Sequence, residues 1–200
     1  KKSLPDPPIA SIGYQASIVI TPQQEADMDI KATLNNLLIP YTSNYAGTLL
    51  PGIREYTVTP GEKTTTISGK GKAGLKQEEN YYFFYLPVCY KGITGKSYAY
   101  YNTSRSKNLY LPASVDENYS YDIQLPENLT LCTPIQEKKI DNPIGSFKIT
   151  LTSEGSSLHI ELALQIKKQL ITPAEYPAFR SLITEWTDRT RKPILFKTVQ

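Results

Sequence analysis

The sequence has little of the side-chain chemistry that metal sites and disulfide-rich scaffolds require. Its 200 residues include two cysteines, one histidine, one methionine and one tryptophan. Two cysteines are too few for a disulfide scaffold or a structural zinc site. The histidine, His159, has no partner in an HxH or HExxH pattern, and the cysteines form no CxxC pattern. We therefore predict no metal and no other cofactor.

Long apolar runs and a strong excess of one charge are also missing. No apolar stretch approaches the roughly 20 residues that a helix needs to span a bilayer. The net charge is only +3, and the lysines and arginines are scattered along the chain. A nucleic-acid-binding protein usually carries a basic stripe or a basic domain. We therefore expect neither a transmembrane segment nor a nucleic-acid partner.

The beginning of the chain lacks both an initiator methionine and a signal peptide. It reads KKSLPDPPIA, and its prolines at positions 5, 7 and 8 favour an extended, semi-rigid segment. A disordered terminus is the alternative interpretation. Because a natural start is missing, we expect residues 1–9 to be a linker that follows an upstream domain.

Alternating apolar and polar residues dominate the chain and predict β-strands. Examples are YQASIVI at 14–20, DMDIKATL at 27–34 and LHIELALQIK at 158–167. Tyrosine, which favours strands, occurs 15 times. We predict a mainly β fold with β-sandwich-like antiparallel sheets. It is divided into an N-terminal β subdomain at 10–108 and a C-terminal β domain at 109–200.

The period of the pattern changes after residue 171 and predicts one amphipathic helix at about 173–191, packed on the sheet. Thr172 and Glu175 have the spacing of a capping box, with Pro173 at the first helical position. Pro177 is expected to bend the first turn, because it removes a hydrogen-bond donor. The apolar stripe consists of Tyr176, Phe179, Leu182, Ile183 and Trp186.

Six aromatic residues fall within YYFFYLPVCY at 81–90. This run predicts a strand with Tyr81, Phe83 and Tyr85 on one side and Tyr82, Phe84 and Leu86 on the other. SYAYYN at 97–102 predicts a neighbouring strand. We favour packing in the core as the role of these rings. A stacking platform for a glycan or a peptide is the alternative, and its candidate binding residues are Tyr82, Tyr98 and Tyr101.

The two cysteines, Cys89 and Cys132, allow two interpretations. In an exported protein they could pair in a disulfide, which would stabilise the fold by about 4 kcal/mol in the chain-entropy model. In a cytosolic protein they are expected to be small, buried apolar side chains. The residues themselves do not decide between these two states.

A Cys–His–Asp triad is formally available, because its requirement is spatial rather than sequential. Its members would be Cys89 or Cys132 as the nucleophile, His159 as the base, and Asp116, Asp122 or Asp141 as the orienting acid. A reactive thiolate usually needs a helix N-terminus or an electropositive cleft, and no predicted helix starts behind either cysteine. His159 falls on the outward side of its predicted strand. We therefore predict that this chain has no catalytic residue.

A family resemblance begins at the second half of the chain. Tyr121, Ile123 and the Leu125–Pro126 pair are followed by Asn142 and Gly145, and then by Ile171, Pro173, Tyr176, Phe179, Arg180 and Trp186. This pattern, over roughly residues 100–200, resembles the C-terminal β domain, of unknown function, of bacterial transglutaminase-like proteins. In that family the catalytic Cys, His and Asp belong to a papain-like core that would precede this chain.

The resemblance implies a non-catalytic accessory domain that supports the core or its substrate binding. Its partner would be the upstream transglutaminase-like domain of the same polypeptide. It also implies a periplasmic or cell-surface location in a Gram-negative bacterium. The alternative function is a stand-alone cell-surface binding module that uses the tyrosine-rich region 81–101 to bind a glycan or a peptide.

Overall fold

The structure, a computed structural model, describes residues 9–35, 53–88, 101, 103–188 and 193–199. These residues form fourteen strands and one helix. The strands are β1 (Ile9–Ile20), β2 (Glu25–Asn35), β3 (Ile53–Pro60), β4 (Thr64–Gly74), β5 (Lys76–Glu78), β6 (Tyr81–Tyr85), β7 (Leu109–Tyr110), β8 (Ser114–Gln124), β9 (Leu129–Leu131), β10 (Gln136–Asn142), β11 (Gly145–Glu154), β12 (Ser157–Ile166), β13 (Leu170–Ile171) and β14 (Pro193–Thr198), and the helix is α1 (Tyr176–Trp186).

An eight-stranded sheet with the order β10-β11-β12-β8-β1-β2-β4-β3 is the main layer. The predicted mainly β fold is confirmed, although this sheet is mixed rather than purely antiparallel. β1 and β8 run parallel, with Ile9 opposite Ser114, while the other pairs of this sheet are antiparallel. A parallel pair needs a crossover connection, and here β2 to β7 lie between the two strands in the chain.

The parallel pair bears on the predicted subdomains. β1 lies before residue 108 and β8 lies after it, and they pair over eleven positions. A boundary between residues 108 and 109 would therefore separate two strands that are neighbours in one sheet. The division into two β units stays a prediction.

The second layer consists of a four-stranded sheet, β5-β6-β14-β9, together with the two-stranded pair β13-β7 and helix α1. One continuous cluster of buried side chains joins this layer to the inner side of the eight-stranded sheet. Phe84 and Phe196 enter the cluster from the four-stranded sheet, Phe179 enters from the helix, and Ile18 and Ile160 enter from the main sheet. The arrangement is a sandwich with the core between its layers.

The two sides of the main sheet differ because the side chains of a strand alternate. In β1, every second residue from Ala10 to Ile20 is buried, and β2, β8 and β12 follow the same pattern with small departures. The other side carries mostly polar and charged residues. We call this solvated side the outer face of the main sheet.

Helix α1 is shorter than the sequence predicts, because it starts at Tyr176 rather than at Pro173. Residues 173–175 form a turn in which the backbone N–H groups of Glu175 and Tyr176 both donate to the Thr172 carbonyl, at 3.1 and 2.9 Å. Pro177 consequently falls in the first turn of the helix, where its missing N–H would have no helical acceptor. The helix also ends earlier than predicted, at Trp186 with Thr187 as its C-cap rather than at about 191.

The predicted capping box is only half formed. The carboxylate of Glu175 accepts hydrogen bonds from the backbone N–H of Thr172 at 3.1 Å and from its hydroxyl at 3.0 Å. The Thr172 hydroxyl thus donates to the acid instead of capping a helical N–H. The hydrogen bond from the Lys168 ammonium, followed by the two from Thr172, lowers the pKa of Glu175 to about 2.

The apolar stripe of the helix is confirmed, with Tyr176, Phe179, Leu182 and Ile183 buried. Asn142 ties the helix to the β10–β11 hairpin, because its side-chain amide donates to the Ala178 carbonyl at 3.1 Å. In the part of the chain that the structure describes, no helix is long and apolar enough to cross a membrane.

Candidate functional site

The histidine lies on the outer face of the main sheet, where β12 pairs with β8 and places His159 opposite Asp122. The Nδ1 atom of His159 is 2.7 Å from the Oδ1 atom of Asp122. Its Nε2 atom is 3.4 Å from an oxygen of Glu161, and the other oxygen of Glu161 accepts a 2.8 Å hydrogen bond from Lys148 on β11. We call these four residues the outer-face ion cluster.

The charges in this cluster favour a protonated histidine. The hydrogen bond to Asp122 raises the pKa of His159 above its ordinary value of 6.5, with partial burial acting in the opposite direction. Glu161 raises the pKa of Lys148, and Lys148 lowers the pKa of Glu161. A general base needs an unprotonated nitrogen that faces the group it deprotonates. Both ring nitrogens of His159 face carboxylates, so the geometry suits an ion pair rather than a base.

The cluster leads to a pH-dependent stability. Because the folded-state pKa of His159 lies above 6.5, its contribution is fully present below pH 6.5 and is lost as the pH rises through the folded-state pKa. His159→Gln should therefore lower the free energy of unfolding by less than about 1 kcal/mol near about pH 5.5, since its side chain is 43% exposed. Urea unfolding measured at this pH and at about pH 9 tests the difference.

A matched control is Asp141→Asn on the same sheet. Asp141 lies 4.0 Å from Lys139 and has no histidine partner among the described residues. Its substitution should have the same small effect at both pH values. A His159→Gln effect that grows as the pH rises would contradict the assignment of a raised pKa to this histidine.

The structure brings together only part of the triad considered from the sequence. His159 contacts Asp122, whereas Asp116 accepts a 2.8 Å hydrogen bond from Asn118 and Asp141 lies beside Lys139. His159 and Asp122 line a shallow cleft of about 400 Å³ on the outer face. No cysteine among the described residues lines that cleft. Among the described residues, His159 therefore has an orienting acid but no thiol beside it.

Cys132 lies elsewhere, in a cleft of about 580 Å³ formed by the connections between β8, β9 and β10 and by the β11–β12 turn. Its thiol is half-buried and has no disulfide partner among the described residues. Its backbone N–H donates to the Leu195 carbonyl at 2.8 Å, which extends the edge of the four-stranded sheet. Cys89 lies outside the described residues, so the predicted disulfide between the two stays a prediction.

The described residues contain no group of three or more His, Cys, Asp and Glu side chains that could hold a metal ion. The outer-face ion cluster has two carboxylates near one imidazole, but both acids already bind the ring and one of them also binds Lys148. This arrangement balances charge internally.

The candidate binding tyrosines are placed as follows. Tyr82 on β6 is 8% exposed and Tyr101 is 4% exposed, so both rings lie in the core. The ring of Tyr101 meets Phe179 edge to face at 5.7 Å, and its carbonyl accepts a hydrogen bond from the Tyr176 hydroxyl. Tyr98 lies outside the described residues. The binding role of these tyrosines stays a prediction, and the two described rings have no face open to a ligand.

The other side of β6 is exposed. Tyr81 is 41% exposed and Tyr85 is 52% exposed, while Phe83 between them is half-buried. The partner strand β14 adds Pro193 opposite Tyr85 and Leu195 opposite Phe83. We call this set of five residues on the outside of the four-stranded sheet the aromatic face.

Sequence reasoning separated the two sides of β6 correctly but could not say which one meets solvent. A usable signal lies in ILFK at 194–197, where Ile194 and Phe196 share one side of the strand and the polar Lys197 falls on the other. Lys197 stands opposite Tyr81 in the sheet and therefore marks the solvent side. The pairing of β14 with β6 joins segments more than one hundred residues apart, and the sequence pattern does not reveal it.

Comparison with known proteins identifies the C-terminal part of this fold. The family model of a domain of unknown function with a solved structure, DUF3858, matches residues 80–196, which is more than half of the chain. The chain belongs to the DUF3858 family. The aromatic face and the outer-face ion cluster both lie within the matched DUF3858 residues, whereas β1 to β5 precede them.

A solved structure from Parabacteroides distasonis ATCC 8503, described as a "putative protease", is similar to this DUF3858 chain with a TM-score of 0.51 and 30% sequence identity. The similarity covers 61% of the chain but only 24% of the Parabacteroides protein. Comparison with the curated proteins gave no match. The DUF3858 chain thus corresponds to about a quarter of a longer relative.

Proposed function

We propose that this DUF3858 chain is a non-catalytic accessory domain of a larger transglutaminase-like protein whose papain-like cysteine core precedes it. The observation that carries the proposal is the similarity to the Parabacteroides protein, of which the chain covers 24%. A domain that corresponds to a quarter of a longer relative leaves most of that relative to other domains. Catalysis would then belong to the core, and the DUF3858 domain would stabilise it or help to bind its substrate.

The chemistry of the described residues supports this division of labour. His159 is held between Asp122 and Glu161, and Cys132 lines a different cleft. An activated nucleophile needs its base within hydrogen-bonding distance. Cys132 and His159 therefore do not form a nucleophile–base pair in this chain.

Cellular location is part of the same proposal. The resemblance to exported transglutaminase-like proteins supports a periplasmic or cell-surface location in a Gram-negative bacterium. Export would also expose the thiols to an oxidising environment, in which Cys89 and Cys132 could pair. Fractionation of the native host with an antibody against the chain tests the location, and thiol labelling with and without reductant tests the disulfide.

The activity test uses the full-length protein, its catalytic core and the isolated DUF3858 chain. Amide hydrolysis and amine incorporation would be measured on a protein substrate for all three. We expect activity from the full-length protein and none from the isolated chain. The core without the DUF3858 domain should have a lower melting temperature, a higher KM or both. Cys132→Ser and His159→Gln in the full-length protein should leave activity unchanged.

Two results would contradict this proposal. Hydrolysis by the purified DUF3858 chain that disappears in Cys132→Ser would assign a nucleophile to the chain itself. A core that keeps its stability and kinetics without the domain would remove the accessory role.

A second function, a binding module of a cell-surface protein, is favoured by one observation. The aromatic face leaves large fractions of Tyr81 and Tyr85 open to solvent. This surface is on the side of β6 opposite to Tyr82, the residue of this strand that is predicted from the sequence as a candidate for binding.

A further inference from the structure

We infer that the aromatic face is a docking surface for an extended, acidic segment of polypeptide. This inference goes beyond the accessory role and does not depend on it, because the isolated chain carries the whole surface. The aromatic face consists of Tyr81, Phe83 and Tyr85 on β6 with Pro193 and Leu195 on β14.

Exposure is the first reason. Soluble proteins place aromatic side chains mainly in cores and interfaces, so exposed rings that stand in one row are candidates for contact with a partner. The opposite side of β6 already buries Tyr82 and Phe84 in the core. The fold therefore does not need Tyr81 and Tyr85 for packing, yet two rings and the half-buried Phe83 stand in one row.

The spacing of the row fits an extended polypeptide. Alternate residues of a strand are separated by about 6.6 Å, so Tyr81 and Tyr85 lie about 13 Å apart along β6. The side chains on one side of a second extended chain repeat at the same distance. Such a chain, laid along the row, can place successive apolar side chains against successive rings. Sheets that stack face to face use this match of periods.

Charge indicates the character of the partner. Lys197 stands beside Tyr81, and Lys76 stands beside Phe83 with its ammonium 5.2 Å from the centre of the Tyr85 ring. Both lysines are exposed, and neither forms an ion pair with any described residue. Glu78 is the single acid in these rows of the sheet. A partner with carboxylates beside its apolar side chains would pair with the two ammonium groups.

Two other occupants fit less well. Sugar hydroxyls need several fixed donors and acceptors. Besides the two flexible lysines, the described strand residues on this side of the sheet offer only Glu78, Thr130 and the tyrosine hydroxyls. A second copy of the chain needs about 800 Å² on each partner for a stable dimer. Four short strands spaced by about 4.8 Å give a face of only about 250 Å². A single extended strand needs no larger surface.

The probe for the test is the fluorescent peptide Asp-Asp-Leu-Thr-Leu-Thr-Leu-Asp-Asp, compared with the same peptide carrying Lys in place of Asp. Fluorescence anisotropy would be measured with the isolated chain and, where available, with the full-length protein. We expect the acidic peptide to bind more tightly than the basic one. Added salt should weaken its binding, because exposed ion pairs are screened.

Two sets of variants locate the binding. Tyr81→Ser with Tyr85→Ser should weaken binding of the acidic peptide by about tenfold, as expected for aromatic contacts at the centre of an interface. Tyr56→Ser is the matched control, because Tyr56 is equally exposed, at 51%, but lies on β3. Lys76→Glu with Lys197→Glu should also weaken binding, whereas Lys63→Glu, at an exposed site between β3 and β4, should not.

The outcomes separate the alternatives. Equal binding of the acidic and basic peptides, or undiminished binding by the tyrosine variant, would overturn the inference. So would binding of cellohexaose without binding of peptide, which would assign the face to a glycan, or a dimer that the tyrosine variant dissociates. Circular dichroism would confirm that each variant is folded. If the tyrosine variant is not folded, the lysine pair and its control decide the question.

Discussion

Replacing Gly145 by alanine is expected to destabilise the protein by about 3 kcal/mol, the upper part of the range for overpacked sites. A Cβ atom at this position would lie 1.8 Å from the carbonyl oxygen of Gln165 and 2.8 Å from its carbonyl carbon. Both atoms belong to the backbone of β12, so the clash can be relieved only by opening the pairing of β11 with β12. Urea unfolding followed by circular dichroism measures the loss.

Gly13→Ala is the matched control in the same sheet. No atom lies within 4 Å of a Cβ built at Gly13, on the outer side of β1. Alanine there removes only chain entropy from the unfolded state, so the variant should be unchanged or more stable by about 0.5 kcal/mol. If the two variants lost stability equally, the close approach of Gln165 would not be the cause.

The contacts of Asn142 and Gly145 explain physically why both residues belong to the family pattern. The Asn142 side-chain oxygen accepts the backbone N–H groups of Ile144 and Gly145, at 2.9 and 3.3 Å, while its amide group donates to Ala178 of the helix. Asn142 thus holds the turn of the β10–β11 hairpin and fastens it to α1. Gly145 allows the strand that follows the turn to approach β12.

Phe179→Ala is expected to lower the free energy of unfolding by about 4 kcal/mol, the typical loss for a large buried aromatic side chain. Phe179 is 1% exposed and lies at the centre of the helix stripe. Its ring is 5.7 Å from Tyr101 and 5.6 Å from Tyr176, centre to centre. Alanine would leave a cavity between the helix and its surroundings that these rings cannot fill by small movements.

The single tryptophan makes this loss measurable. Trp186, at the end of α1, lies 5.6 Å from Tyr119 and 6.5 Å from Phe147 on the main sheet, so its fluorescence reports whether the helix is docked. Tyr85→Ala is the control, because Tyr85 is 52% exposed and its loss should change stability by less than about 0.5 kcal/mol. Equal unfolding midpoints for the two variants would show that the helix does not depend on Phe179.

These expectations separate the parts of the DUF3858 domain that maintain the fold from those that are available for binding. Asn142 connects the helix to the β10–β11 hairpin, Gly145 allows β11 to approach β12, and Phe179 packs against Tyr101 and Tyr176 in the core. The outer-face ion cluster adds a small, pH-dependent contribution to the free energy of unfolding. Tyr81 and Tyr85 contribute little to folding by their position, so substitutions there can probe binding without loss of structure.

Features that depend on the local order of residues could be predicted from the sequence alone. The alternation in 14–20, 27–34 and 158–167 identified strands and their buried sides, because the side-chain period of a strand is two residues. The stripe of Tyr176, Phe179, Leu182 and Ile183 identified the helix and its packed side, because the helical period is also local. The start of the helix was predicted three residues early, since a turn and a first helical turn have similar signals.

Contacts between residues that are distant in the chain follow from the tertiary structure. It paired β1 with β8 in parallel, and it brought His159 to Asp122 while leaving Cys132 in a separate cleft. It also turned Tyr82 toward the core and Tyr81 toward solvent, because the neighbour of β6 is β14, from the other end of the chain. Such contacts depend on how distant strands pair. The alternation within one strand separates its two sides, but it does not show which side will face the core or which strand will be its neighbour.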